Sequence, residues 1–120
     1  MKQAGLTLND INFFEYHDVF SIYAALQLEA VGFVSRGNGW KLAADGEIGL
    51  KGGIPCATMG GMKARGFPGG AAGVYQAVEA VMQLRGQAGA NQIPNAKTAL
   101  IQSLGGPAST AVSHILQKLD

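Results

Sequence analysis

The chain of 120 residues predicts an α/β fold: a small mixed sheet of about three or four strands, two main helices and a glycine-rich loop. Three observations carry this expectation. The aromatic segment from Ile11 to His17 lies between turn formers, as a buried strand does. Two stretches with apolar residues at three-to-four-residue spacing flank a run rich in glycine. A short apolar run, Thr98 to Ser103, leads through Gly105-Gly106-Pro107 into another extended stretch. With 48% hydrophobic residues, the chain has enough apolar surface for one domain over residues 1–120.

The strand predicted at Ile11–His17 leaves His17 at its C-terminal end. Asp18 is the expected N-cap of the helix that follows, with Val19, Ile22, Tyr23, Leu26, Ala30 and Phe33 on its apolar face and Gly32 as its stop. Gly37 to Gly53 reads as an ordered excursion anchored by Trp40, Leu42, Ile48 and Leu50, of a kind that often covers a site. The glycine-rich stretch Thr58 to Gly73 then runs into a second amphipathic helix, with Val74, Ala77, Val78, Val81 and Leu84 as its stripe and Gly86 as its C-cap. A loop containing Asn91, Pro94 and Asn95 precedes the central strand at Thr98–Ser103. Periodicity alone leaves Thr110 to Leu119 between strand and helix, and pairing back across the tight turn would make it an antiparallel hairpin. So small a sheet calls for a covering partner on one face.

Nine basic and eight acidic residues give a formal net charge of +1. They are scattered rather than gathered into a stripe that could neutralise phosphates, which argues against nucleic acid as a partner. No apolar run approaches the ~20 residues of a membrane span. Cys56 is the only cysteine, which excludes an intrachain disulfide and a cysteine-only zinc site. With no signal-peptide pattern at the start, a reducing cytoplasm is the expected compartment, and no metal site is expected. The 18 glycines fall in clusters rather than a repeat, as turns do where backbone approaches a ligand or another element.

Three segments, in order, carry a family resemblance: His17-Asp18-Val19-Phe20; the run from Gly60-Gly61-Met62-Lys63-Ala64-Arg65-Gly66-Phe67-Pro68 to Gly69-Gly70-Ala71-Ala72-Gly73; and Ser103-Leu104-Gly105-Gly106-Pro107. Together they resemble the C-terminal half of thiolases, especially the archaeal and sterol-carrier-associated types with a His-Asp-x-Phe motif, similar to acetyl-CoA acetyltransferase. The resemblance spans nearly the whole chain and implies a partial thiolase-like half. It also implies that the nucleophilic cysteine resides in an N-terminal half, absent from this chain.

Thioester exchange needs a thiolate, a base to generate it, a second base near the acyl α-carbon, and donors for two oxyanions. The resemblance places Phe67 where the family's Gly-His-Pro motif has its catalytic histidine, and a phenyl ring neither accepts a proton nor donates a hydrogen bond. It makes His17 a donor to the thioester oxygen and Gly105 N–H a second oxyanion donor. Ser103 replaces the family's second cysteine, a poor proton shuttle without an adjoining base. Ala57 stands where many relatives have asparagine. The binding surface implied comprises Gly60, Gly61, Lys63, Arg65 and Gly66, with the two cations facing the phosphates of coenzyme A. Cys56 matches none of the family's cysteine positions, and His114 reads as structural.

These roles imply a coenzyme A thioester as ligand or substrate, with no tightly bound cofactor. They predict that the chain alone is inactive and that it assembles with an N-terminal thiolase half or with copies of itself. Two alternatives stand beside this: a non-catalytic acyl-CoA-binding or scaffold subunit, and a retro-aldolase component working with a zinc-ribbon/OB-fold protein. For the last, Tyr16 and Tyr23 are the nearby phenols.

Overall fold

The structure, a computed structural model, describes residues 1–119. Among these residues three strands form one sheet in the order β1-β2-β3: β1 (Phe13–Glu15), β2 (Thr98–Gly105) and β3 (Thr110–Gln117). Strands β1 and β2 run parallel, with Phe14 opposite Leu100, while β2 and β3 form an antiparallel hairpin with Ile101 opposite His114. The sheet is therefore mixed, and the ambiguous C-terminal run is a strand. A single parallel bridge between Phe14 and Cys56 adds a one-rung edge beyond β1. There Phe14 N–H donates to Pro55 O at 2.9 Å and Ala57 N–H to Phe14 O at 3.0 Å.

Among the described residues four α-helices surround the sheet: α1 (Ser21–Val31), α2 (Gly39–Ala44), α3 (Gly61–Arg65) and α4 (Ala72–Leu84). Because successive strand residues face opposite ways, Phe13 and Phe14 seed two cores. Phe14 packs with Tyr16, Leu28, Ile54 and Leu100 on the α1 face, and Phe13 with Ala80, Leu84, Ile93 and Ile101 on the α4 face. Ile48 and Leu42 anchor the Gly37–Gly53 excursion on the first core and Leu50 on the second. Trp40 is no anchor: it is exposed, with the Lys41 ammonium 5.8 Å from its ring centre.

Both helices differ from expectation in the face they bury. In α1 only Gln27 and Leu28 are fully buried, while Ile22 and Leu26 point outward. The sequence Ser21–Val31 is apolar on nearly every side, so spacing alone could not select the face that Leu28 docks into the sheet. The cap also differs: Phe20 occupies the N-cap position, and Asp18 lies outside the helix, bonded elsewhere. Gly32 ends α1 in the left-handed conformation, as expected.

In α4 the expected stripe splits: Leu84 is buried and Ala77 packs against the second core, but other positions are exchanged. Gln76, Glu79 and Gln83 are buried, whereas Val74 and Val78 are exposed. The two glutamines turn inward because backbone groups of three other segments need them. Gln83 Nε2 donates to Asn91 O at 2.8 Å and to Thr58 Oγ1 at 2.9 Å, and Gln83 Oε1 accepts from Ile93 N–H at 2.8 Å. Gln76 Nε2 donates to Gln102 O at 3.0 Å. The outward valines leave α4 with an uncovered apolar stripe.

Candidate functional site

The site is built around the end of β1. His17 lies two residues past that strand, only 3% exposed, and Gln27 of α1 clamps its backbone. Gln27 Oε1 accepts from His17 N–H at 3.0 Å, and Gln27 Nε2 donates to His17 O at 2.8 Å. Sequence reasoning passed over Gln27, whose only signal was a polar residue inside an otherwise apolar helix.

Asp18 then reaches across to the glycine signature, its Oδ1 accepting from Met62 N–H at 2.8 Å. That contact requires glycine at position 61, which adopts φ +59° and lies against the Asp18 carboxylate. The N–H group that opens α3 is thus satisfied from within the chain rather than offered to an external anion.

The signature continues through Gly66 into Phe67, whose ring stands edge-on to the His17 imidazole at 5.4 Å between centres. Phe67 is 52% exposed, so it lines the mouth of the site rather than filling a core. The Tyr23 ring lies on the same imidazole at 6.5 Å, whereas Tyr16 packs into the core against Phe14 at 5.6 Å. Where the signature enters α4, a methyl group on Gly73 would lie 3.0 Å from Ser103 Oγ. The glycine signature therefore touches both other motifs, at Asp18 and His17 on one side and at Ser103 on the other. Gly105 closes β2 opposite Thr110, exposed at the hairpin turn.

Two residues expected at the mouth part company. Lys63 is exposed on the rim of an apolar cleft of about 310 Å³ between α1 and α2, which Tyr16, Asp18, Leu28 and Trp40 also line. Arg65 turns the other way: its guanidinium is ion-paired with Glu79 of α4 and rests 5.5 Å from the Tyr75 ring centre. Gly60 and Gly66, like Gly61, hold positive φ and shape the loop through the backbone.

Burial holds the Cys56 thiol well above its usual pKa, and Sγ donates to Ile54 O at 3.1 Å. It is no ready nucleophile. Ala57 is buried with φ +41°, a conformation that asparagine tolerates better than alanine. His114 is exposed on β3.

Burial lowers the pKa of His17 below 6.5, opposed only in part by the Asp18 charge, so its imidazole is neutral near pH 7. Its Nδ1 has no hydrogen-bond partner among the described residues. The unfolded chain binds a proton here more readily than the native one, so the stability contributed by neutral His17 is complete above pH 6.5 and is lost as pH falls through the lowered value. Thermal melts of the native chain and of His17→Gln between pH 8 and about 5 should diverge below pH ~6.5, the native chain losing stability relative to the variant. Parallel curves would contradict the burial assigned to this ring.

A strand end bearing His-Asp, a glycine signature spanning it to a Gly-Gly hairpin, and helices on both sheet faces define a half of thiolase type. Residues 1–118 match the family described as thiolase C-terminal domain-like, and the chain belongs to it. It is 44% identical over 117 residues to an acetyl-CoA acetyltransferase of Methanothermobacter thermautotrophicus, covering 98% of this chain and 30% of that protein. It is 41% identical to human sterol carrier protein 2 over 104 residues, covering 87% of this chain and 19% of the relative. The Ltp2-ChsH2(DUF35) aldolase has a similar structure, with a TM-score of 0.86 at 31% identity, over 98% of this chain and 29% of its own. The chain thus spans less than a third of the length of each of these relatives.

Proposed function

We propose that this chain is the C-terminal half of a thiolase-superfamily protein acting on coenzyme A thioesters, in which His17 donates to the thioester oxygen and no general base stands at position 67. The observation that carries this reading is the edge-on contact of Phe67 with the His17 imidazole: the signature turn delivers its side chain to the oxygen-binding histidine, and that side chain is a hydrocarbon. A neutral imidazole fits the donor role, because it offers an N–H without placing a fixed charge beside the acyl group. Gly105 N–H is the second oxyanion donor of this reading, Ser103 contributes at most a hydrogen bond, and Lys63 on the cleft rim meets the phosphates. The nucleophilic cysteine comes from an N-terminal thiolase half, whose seat is the apolar surface that includes Val74 and Val78.

Calorimetric titration of the protein in its native assembly with acetyl-CoA tests this. Binding is expected, with His17→Ala weakening it about tenfold, the loss of one hydrogen bond to a polarised oxygen. Absence of binding heat, or equal affinity in the variant, would overturn the role of His17.

A second reading, carbon–carbon cleavage by a retro-aldolase assembly with a zinc-ribbon/OB-fold partner, is favoured by the likeness to the Ltp2-ChsH2(DUF35) aldolase and by the Tyr23 ring beside His17. Loss of acyl-CoA cleavage in Tyr23→Phe would favour it over thioester exchange.

A further inference from the structure

Among the described residues, six buried side-chain atoms have no hydrogen-bond partner: Glu15 Oε1 and Oε2, His17 Nδ1, Arg65 Nε, Gln76 Oε1 and Glu79 Oε2. Four of these residues meet between β1, α3 and α4. Glu15, 1% exposed, ends β1 under α4, and Gln76 Nε2 approaches its backbone carbonyl at 3.4 Å. Glu79 is ion-paired with Arg65 through Oε1, while its Oε2 and both Glu15 oxygens are buried without a partner. Arg65 ends α3 two residues before Phe67, so a guanidinium held on α4 ties the start of the turn to that helix.

Two buried carboxylates facing one another have acceptors only and repel, a costly arrangement away from water. A single proton between them turns the same geometry into a short carboxyl–carboxylate hydrogen bond and leaves one net charge for Arg65 to balance. Burial and then the Glu79 charge keep Glu15 protonated well above the ordinary carboxylate range, against the pull of Arg65. Asp18 adds a further negative charge.

We propose that Glu15, Glu79 and Arg65 form a buried brace in which one proton is shared by the two carboxyls, and that this brace holds the Gly66-Phe67 turn against His17. Glu15 and Glu79 are then positioning residues: neither reaches the mouth, and both act through Arg65. The inference rests on the proposed thioester site only for its effect on ligand binding, since the brace itself is read from contacts within the chain.

The proton and the contact are observable separately. Infrared spectra of the purified protein at pH 7 should show the stretch of a protonated carboxyl, absent in Glu15→Gln. Crystal structures should keep Phe67 on His17 in Glu15→Gln, whose amide donates to Glu79 in place of the proton. In Glu79→Gln they should show Arg65 released and the two rings apart. Should Glu79→Gln fail to accumulate, Arg65→Met cuts the same link and should part the rings likewise. No protonated-carboxyl band in the native protein at pH 7, or rings still in contact after either cut, would overturn the brace. If band and contact behave as stated, acetyl-CoA affinity should fall about tenfold in Glu79→Gln and stay within about twofold in Glu15→Gln. Affinity unchanged in Glu79→Gln would then count against the thioester reading of His17 while leaving the brace in place.

Discussion

Phe67→His should raise acetoacetyl-CoA thiolysis by about 10²-fold or more when the chain is combined with a thiolase N-terminal half bearing the nucleophilic cysteine, the low end of what a positioned general base contributes. The substitution suits the fold. Phe67 is half exposed, so exchanging its ring for an imidazole removes little buried apolar surface. Its backbone follows Gly66, which holds φ +99° and donates to Met62 O at 2.8 Å, and neither feature depends on the side chain that comes next. The new imidazole would take the place of a ring already 5.4 Å from His17, within reach of a bound acyl group. Phe67→Ala is the control: it opens the mouth at least as far but supplies no base, and its rate should not rise above the native level. Equal gains in both variants would mean that Phe67 blocks access, and no gain in the histidine variant would mean that Ser103 or Ala57 limits the reaction.

The fold and the motif positions were legible in the sequence because they rest on local signals. The buried aromatic pair Phe13 and Phe14, Gly32 as a helix stop and the Gly105-Gly106 turn each follow from the residue itself. The faces of the helices were not legible. Val74 and Val78 form a regular stripe yet point outward, while Gln76 and Gln83 turn inward to satisfy carbonyls and an N–H of other segments and Glu79 to pair with Arg65. Spacing reports that a helix has an apolar side, not what covers it. The candidate site was half legible: the signature announced Phe67 and His17, but nothing local showed that Asp18 caps Met62 rather than α1, or that Arg65 belongs to Glu79. Both pairings depend on chain segments brought together by the sheet.

The largest effect on stability is expected from Gly61→Ala. At φ +59° any residue with a Cβ is strained by about 1–2 kcal/mol. The added methyl would also press on both Asp18 carboxylate oxygens, 2.7 Å from Oδ1, forcing the carboxylate off Met62 N–H. Losing a buried hydrogen bond to a charged group removes roughly 1.5–3 kcal/mol more. A total near 3 kcal/mol should lower the thermal midpoint by about 10–15 °C in a domain of this size. Asp18→Ala removes the same hydrogen bond without backbone strain and should lower it by roughly half as much. The decisive comparison is the double variant. With the carboxylate gone, the methyl of Gly61→Ala has no oxygen to strike, so the paired loss should fall short of the sum of the single losses by more than about 1 kcal/mol. Strict additivity would mean that Asp18 and Gly61 do not share one contact, and that the His-Asp strand end and the glycine signature are held in place independently.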